Sequence, residues 1–230
     1  MSKIMPRILP ILLLLIVALW WTDVGREISI RQNMVPVKIS TNGGRTLFVS
    51  PYEVTINSWR ECYASGECSY IPRSSSNSFS MPISGINWFD VNEYLAWANQ
   101  RSPVRMRLPT LAEWRVLNRS LQLPKQAPAF TDPRMAWAAN YGQEKSPIGP
   151  IRPSGSFSKT ADGIYDLDGN VWEWTSTCFK PEFEDGYCPA YITAGAHEAV
   201  TSVFVRNPGL GGCATGTPPS HIGMRLVADK

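Results

Sequence analysis

Between Gly163 and Thr175 the sequence GIYDLDGNVWEWT sets three carboxylates, Asp166, Asp168 and Glu173, among two glycines and two tryptophans. Glycine permits a bend that turns backbone carbonyls inward, and carboxylates beside inward carbonyls form the all-oxygen environment a hard cation such as calcium prefers. Trp172 and Trp174 are expected to anchor that turn in the core. Sulfur is the second source of chemistry. Cys62 and Cys68 enclose YASGE, and Cys178 and Cys188 enclose FKPEFEDGY, so each pair can close locally as a disulfide in an oxidising space. Five cysteines admit other pairings, and the local one is the preferred arrangement. It leaves Cys213 as the unpaired thiol, set among Gly211, Gly212, Ala214 and Gly216. Arg206 or Arg225 could lower its pKa and make it reactive, although a small cysteine packed in a glycine turn is the commoner arrangement. The chain has only two histidines, His197 and His221. Together with Cys213 they could hold copper or iron, but isolated capping or surface histidines are far more frequent, and a non-haem iron site wants two histidines and a carboxylate. Copper or iron is therefore not expected.

The elements that must position these groups are legible in part. Thr110 and Glu113 stand at capping-box spacing after Pro109, with Trp114, Leu117 and Leu121 on one face of the helix that follows. A second helix is read from Asp90 and Glu93, with Val91, Tyr94, Leu95 and Ala98 at helical spacing. A third is expected from Val54 through Tyr63. Alternation at Val35, Val37 and Ile39 predicts a strand, and short strands are expected at Tyr191–Thr193, Val203–Val205 and Met224–Val227. Residues 74–80, serine-rich, and the proline-punctuated stretch 124–158 read as loops, the latter long enough to be functional or held down. Arg107 and Arg225 are expected to pair with Glu113 or Glu173 and fix the loops. Most of the nine tryptophans are expected in the core, with Trp59, Trp88 or Trp137 available to line a peptide groove.

At 230 residues the chain fits one sizeable domain. Charged residues make up 18%, below the roughly 25% usual for soluble domains, and the 19 prolines and 17 glycines exceed the usual share. Many ordered loops are the expected result. The net charge of +3 with scattered Lys and Arg supplies no basic stripe, so nucleic acid is not an expected partner. The first 25 residues stand apart: Lys3 and Arg7 precede an apolar run from Ile8 to Trp21. As a helix this run spans only about 21 Å, against a hydrocarbon core of roughly 30 Å. That length favours a signal peptide. The missing small-residue cleavage site and the interfacial Trp20 and Trp21 favour an uncleaved anchor through residues 4–22. Either reading places the body outside the cytoplasm, facing the periplasm or cell exterior, membrane-anchored or, after cleavage, secreted or periplasmic. The organisation expected is an anchor or signal over 1–25, a leader over 26–45 and a domain over 46–230.

Five motifs in order, YEVTINSW at Tyr52, PISGINWFDVNEYLAW at Pro82, RLPTLAEW at Arg107, GIYDLDGNVWEWT at Gly163 and IGMRL at Ile222, resemble the sulfatase-modifying-factor family, whose best-known member is the formylglycine-generating enzyme. The resemblance implies a loop-rich α+β fold related to C-type lectins, here preceded by an N-terminal hydrophobic helix, and structural calcium. Carried onto this sequence, the calcium ligands would be the side chains of Asp166 and Glu173 and the carbonyls of Gly169 and Val171. The alternative is that Asp166 and Glu173 bond to backbone donors or to Arg107 or Arg225 without a metal. A second family calcium site would begin at Asn140, with no clear later aspartate after Glu144.

The family oxidase uses two cysteines five positions apart, a soft thiolate pair suited to Cu(I), shortly before the final glycine-containing motif. Here only Cys213 lies in that region, with Pro208 and Pro218 five positions to either side. The resemblance therefore implies the fold without the standard oxidation. Two functions follow from it. One is a membrane-tethered accessory or maturation factor that binds an extracytoplasmic protein or peptide. The other is a divergent oxidoreductase acting on a peptide-derived substrate through Cys213, His221 and possibly a metal.

Overall fold

The computed structural model describes residues 34–39, 44–72, 80–121, 150–180, 187–195, 198–204 and 221–229. The apolar N-terminal run, the serine-rich loop, most of the proline-punctuated stretch, Trp137, Asn140, Glu144, His197 and Cys213 lie outside the described residues. Among the described residues, no helix is long and apolar enough to cross a membrane.

Among the described residues the architecture is mixed α and β, two four-stranded sheets with few helices. The expected alternation gives β1 (Val35–Ile39), which pairs antiparallel with β2 (Arg45–Val49). β8 (Val227–Asp229) lies between β2 and β3 (Met106–Arg107), so the first sheet runs β1-β2-β8-β3. The second sheet runs β6-β5-β4-β7: β4 (Trp172–Cys178), β5 (Ala190–Ala194) and β6 (Glu198–Ser202) form antiparallel pairs, and β7 (Ile222–Gly223) joins β4 in parallel.

Among the described residues three α-helices accompany the sheets. α1 (Ile56–Ala64) starts after Thr55, whose side chain accepts from the Ser58 N–H while its backbone bridges to Pro82, so Val54 stays extended. α2 (Trp88–Arg101) begins earlier than the sequence pattern suggests. Asn87 is the cap, accepting the Asp90 N–H at 2.9 Å, and the Asp90 carboxylate returns to the Asn87 N–H at 2.7 Å. Asp90 thus closes a capping box from inside the first turn and does not open one. α3 (Leu111–Leu117) carries the Thr110–Glu113 box as expected and then tightens into a 3-10 turn at Asn118–Ser120, which leaves Leu121 half-buried.

Two strand expectations need correcting, with Val205 outside the described residues. Val203 and Phe204 form a turn after β6, and residues 224–226 separate β7 from β8 where the sequence suggests one strand. β4 takes up the end of the acidic turn as a strand, with no alternation in the sequence to signal it. Its four leading residues are all buried, the pattern of a central strand covered on both faces. Trp172 and Trp174 are fully buried in it, as expected. Trp59 is fully buried too, stacked on Tyr94, so it lines no groove; Trp88 is half-buried against Tyr191.

The expected disulfides both form, Cys62–Cys68 at the end of α1 and Cys178–Cys188 linking the ends of β4 and β5. They agree with an extracytoplasmic environment.

Candidate functional site

The acidic turn sits where the two sheets meet. Asp166 and Asn170 both have positive φ, 65° and 67°, a conformation that costs a side chain energy and that Asp and Asn tolerate best. Their side chains explain how it is held. The Asp166 carboxylate accepts the backbone N–H groups of Gly155 and of Phe157, the latter at 2.8 Å. Asp168 accepts the Ser158 N–H at 3.1 Å and the Ser158 hydroxyl. Asn170 accepts the Arg152 N–H at 2.9 Å and donates to Glu53 Oε1 at 3.2 Å. Residues 152–158 are therefore stitched across the turn by its own acidic and amide groups.

Beyond the turn the chain enters β4, and Glu173 points into the core. It is 1% exposed and faces Arg225, which is wholly buried. Arg225 Nε lies 3.0 Å and Nη2 2.8 Å from Glu173 Oε1, and Glu173 Oε2 also accepts the Trp114 indole N–H at 3.0 Å. The rest of the guanidinium is used as well: Nη1 donates to the carbonyls of Ser50 and Pro51 at 3.0 and 2.7 Å, and Nη2 to that of Tyr165 at 2.8 Å. All five N–H donors have acceptors. Burial alone would depress the Arg225 pKa, but the charges of Glu173 and Glu53 outweigh it and raise it.

Glu53 is a member of this site that the sequence reading does not single out. It is 2% exposed, its Oε1 is held by Asn170, and its Oε2 has no hydrogen-bond partner among the described residues. Burial pushes its pKa up to about 8 against the pull of Arg225, and the charges of Glu173 and Asp166 add to the rise. The available signal is a single carboxylate inside the otherwise apolar YEVTI stretch.

The other expected arginine stands at a separate, more exposed site. Arg107 pairs with both oxygens of Glu113, at 2.8 Å each, and with Asp229 through Nε and Nη2, also at 2.8 Å. Arg45 bonds Glu113 and Asp229 in turn. Burial would raise the Glu113 pKa, but hydrogen bonds from Arg107 and the Thr110 N–H win and lower it. Asp229 is lowered chiefly by its bonds from Arg107. This network joins β2, β3, α3 and β8. His221 is half-buried just before β7, with its carbonyl accepting the Trp172 N–H at 2.8 Å.

Can the turn hold calcium? A hard cation needs carboxylate oxygens turned toward it. Those of Asp166 face backbone N–H groups, and those of Glu173 face a guanidinium and an indole. Among the described residues no group of three or more His, Cys, Asp or Glu side chains is placed to hold a metal ion. As placed, Glu173 is engaged by Arg225 and Trp114, while each Asp166 oxygen accepts a single N–H and keeps a lone pair.

Close packing at the same junction gives a direct test. A Cβ on Gly223 would lie 2.5 Å from the carbonyl oxygen of Ile83 and 2.8 Å from Val171 Cγ2. The obstacle is backbone on one side, so Gly223→Ala must push β7 away from the Ile83 segment. It is expected to lower stability by about 1–3 kcal/mol, read by urea unfolding; an unchanged midpoint would show that the packing between Ile83 and β7 is loose.

Comparison with known proteins bears on the whole of this region. A family profile described as the Sulfatase-modifying factor enzyme 1-like domain matches residues 27–230. The chain is 31% identical over 114 residues to inactive C-alpha-formylglycine-generating enzyme 2 of Mus musculus, covering 46% of this chain and 35% of that protein. It is 30% identical over 116 residues to formylglycine-generating enzyme of Streptomyces coelicolor, covering 44% and 34%. The matched stretch thus spans about a third of the length of these relatives. The solved structure of PvdO from Pseudomonas aeruginosa shares the fold, with a TM-score of 0.52 at 18% identity over 86% of this chain and 90% of that one.

Proposed function

Because the chain belongs to the sulfatase-modifying-factor family, we propose that it uses the family scaffold as an extracytoplasmic accessory or maturation factor, tethered through residues 4–22, that binds a polypeptide or enzyme partner and performs no formylglycine-type oxidation. The C-type-lectin-like character that the family resemblance implies belongs to this reading, because such a fold presents its loops on a rigid pair of sheets. The observation that carries the reading is the count of sulfur. Of five cysteines, four are consumed in Cys62–Cys68 and Cys178–Cys188, which leaves Cys213 alone. A thiol pair suited to Cu(I) cannot be assembled from one cysteine without breaking a disulfide. The name of the mouse relative, which calls that protein inactive, is consistent with a scaffold kept for a purpose other than catalysis.

The test is chemical. The purified full-length chain is incubated with copper, oxygen and a cysteine-containing peptide of the sulfatase type, and the peptide is analysed for aldehyde by mass spectrometry. No conversion is expected, together with a single titratable thiol per denatured, unreduced chain. Aldehyde formation that disappears in Cys213→Ser would overturn the accessory reading in favour of a divergent oxidase.

A further inference from the structure

Three side chains meet at the surface beside the acidic turn and enter neither the ion-pair networks nor the disulfides. The Tyr52 and Tyr165 rings stack with centroids 4.8 Å apart and planes 19° from parallel. Their hydroxyls are hydrogen-bonded to each other, and Lys159 hydrogen-bonds the Tyr165 oxygen. The ammonium lies 5.0 Å from the Tyr165 ring centroid, and its bond lowers the Tyr165 pKa. The pair is fixed at its base. The Tyr165 N–H donates to the Pro51 carbonyl at 2.9 Å, and Arg225 donates to the carbonyls of Pro51 and Tyr165 at 2.7 and 2.8 Å. The outer edge is open: Tyr52 is 39% exposed, Tyr165 half-buried and Lys159 exposed. Against the Tyr52 ring stands Gly155, where a Cβ would lie 3.2 Å from Cε1, so the missing side chain leaves the ring room to turn.

Hydrogen-bonded hydroxyls on stacked rings bring to one edge the ortho carbons that flank the two oxygens, the positions at which phenoxyl radicals couple. The two disulfides agree with an oxidising compartment. We propose that Tyr52 and Tyr165 are an oxidative cross-link site: hydrogen peroxide, acting through a haem peroxidase, removes one hydrogen atom from each phenol, and the two radicals join at their ortho carbons as dityrosine. The peroxide takes up the two hydrogen atoms and leaves as two waters. The hydrogens on the newly joined carbons pass to the phenol oxygens, so the chain is lighter by two hydrogens overall. The new bond ties the segment after β2 covalently to the acidic turn. This does not rest on the accessory reading, since the pair stands apart from Cys213.

Full-length protein in detergent, at micromolar concentration, is treated with a plant haem peroxidase and hydrogen peroxide, then denatured, reduced and separated by size. The monomer is digested and analysed by mass spectrometry. The expected result is dityrosine fluorescence in the monomer and a joined species of the peptides carrying Tyr52 and Tyr165, two hydrogens lighter than their sum. Because the two rings are held together, this product is expected to exceed dityrosine between chains by at least about tenfold. Tyr52→Phe and Tyr165→Phe are each expected to abolish it, while coupling between chains through the exposed Tyr63 and Tyr187 persists. Absence of the joined peptides under conditions that couple free tyrosine overturns the proposal, as does monomer fluorescence that survives Tyr52→Phe. Should a variant not fold, the peptide map of the unmodified chain decides the matter alone.

Discussion

Glu173→Ala is expected to lower the thermal midpoint by on the order of 10 °C, because removing one partner of a buried ion pair costs about 3–5 kcal/mol and each kcal/mol moves a protein of this size by about 2–4 °C. The cost arises from what is left behind. Arg225 has no exposed surface, so it would keep its charge in the interior while losing its counter-ion, and the Trp114 indole N–H would lose its acceptor. The two residues act as a unit. Glu173→Ala combined with Arg225→Met should therefore cost clearly less than the sum of the two single changes. Differential scanning calorimetry of the four proteins closes the cycle. Additive losses would mean that the pair contributes through packing alone.

Glu53→Gln is expected to act in the opposite direction and to depend on pH. The folded-state pKa of Glu53 is raised from the ordinary 4.5 to about 8, so the folded chain holds a proton that the unfolded chain releases. Stability from that group is fully present below about pH 4.5 and is lost as pH rises towards 8. Glutamine keeps the shape and the acceptor for Asn170 but has no proton to lose. The variant should match the parent near pH 5 and exceed it at pH 8 and above by a few kcal/mol, since each pH unit between the unfolded and folded pKa contributes about 1.4 kcal/mol. Urea unfolding at a series of pH values measures the difference. Parallel profiles across that range would show that Glu53 is ionised in the native state, balanced by something other than a proton.

The sequence disclosed these sites unevenly, for physical reasons. Thr110 and Glu113 were readable because a capping box is a local pattern, complete within four residues. The two disulfides were readable because each closes a short loop. Asn87 was missed because Asp90 has the chemistry of a cap and stands in an acidic first turn; only the geometry shows which of the two accepts first. β4 was missed because a strand buried on both faces has no alternation to detect. The acidic partner of Arg225 was legible, but its three further bonds reach carbonyl oxygens, which every residue carries and no composition reveals. The fate of Asp166 was hidden for the same reason, since backbone N–H groups satisfy it.

The position of β8 has a consequence for biogenesis. Its partners β2 and β3 are made long before it, and residues Leu47 and Val49 of β2, both fully buried once paired, face Asp229 and Val227 in register. While the polypeptide emerges, that hydrophobic edge of β2 has no mate until β8 arrives, and pairings so remote in sequence form slowly. The nascent protein should spend an extended interval as an aggregation-prone intermediate.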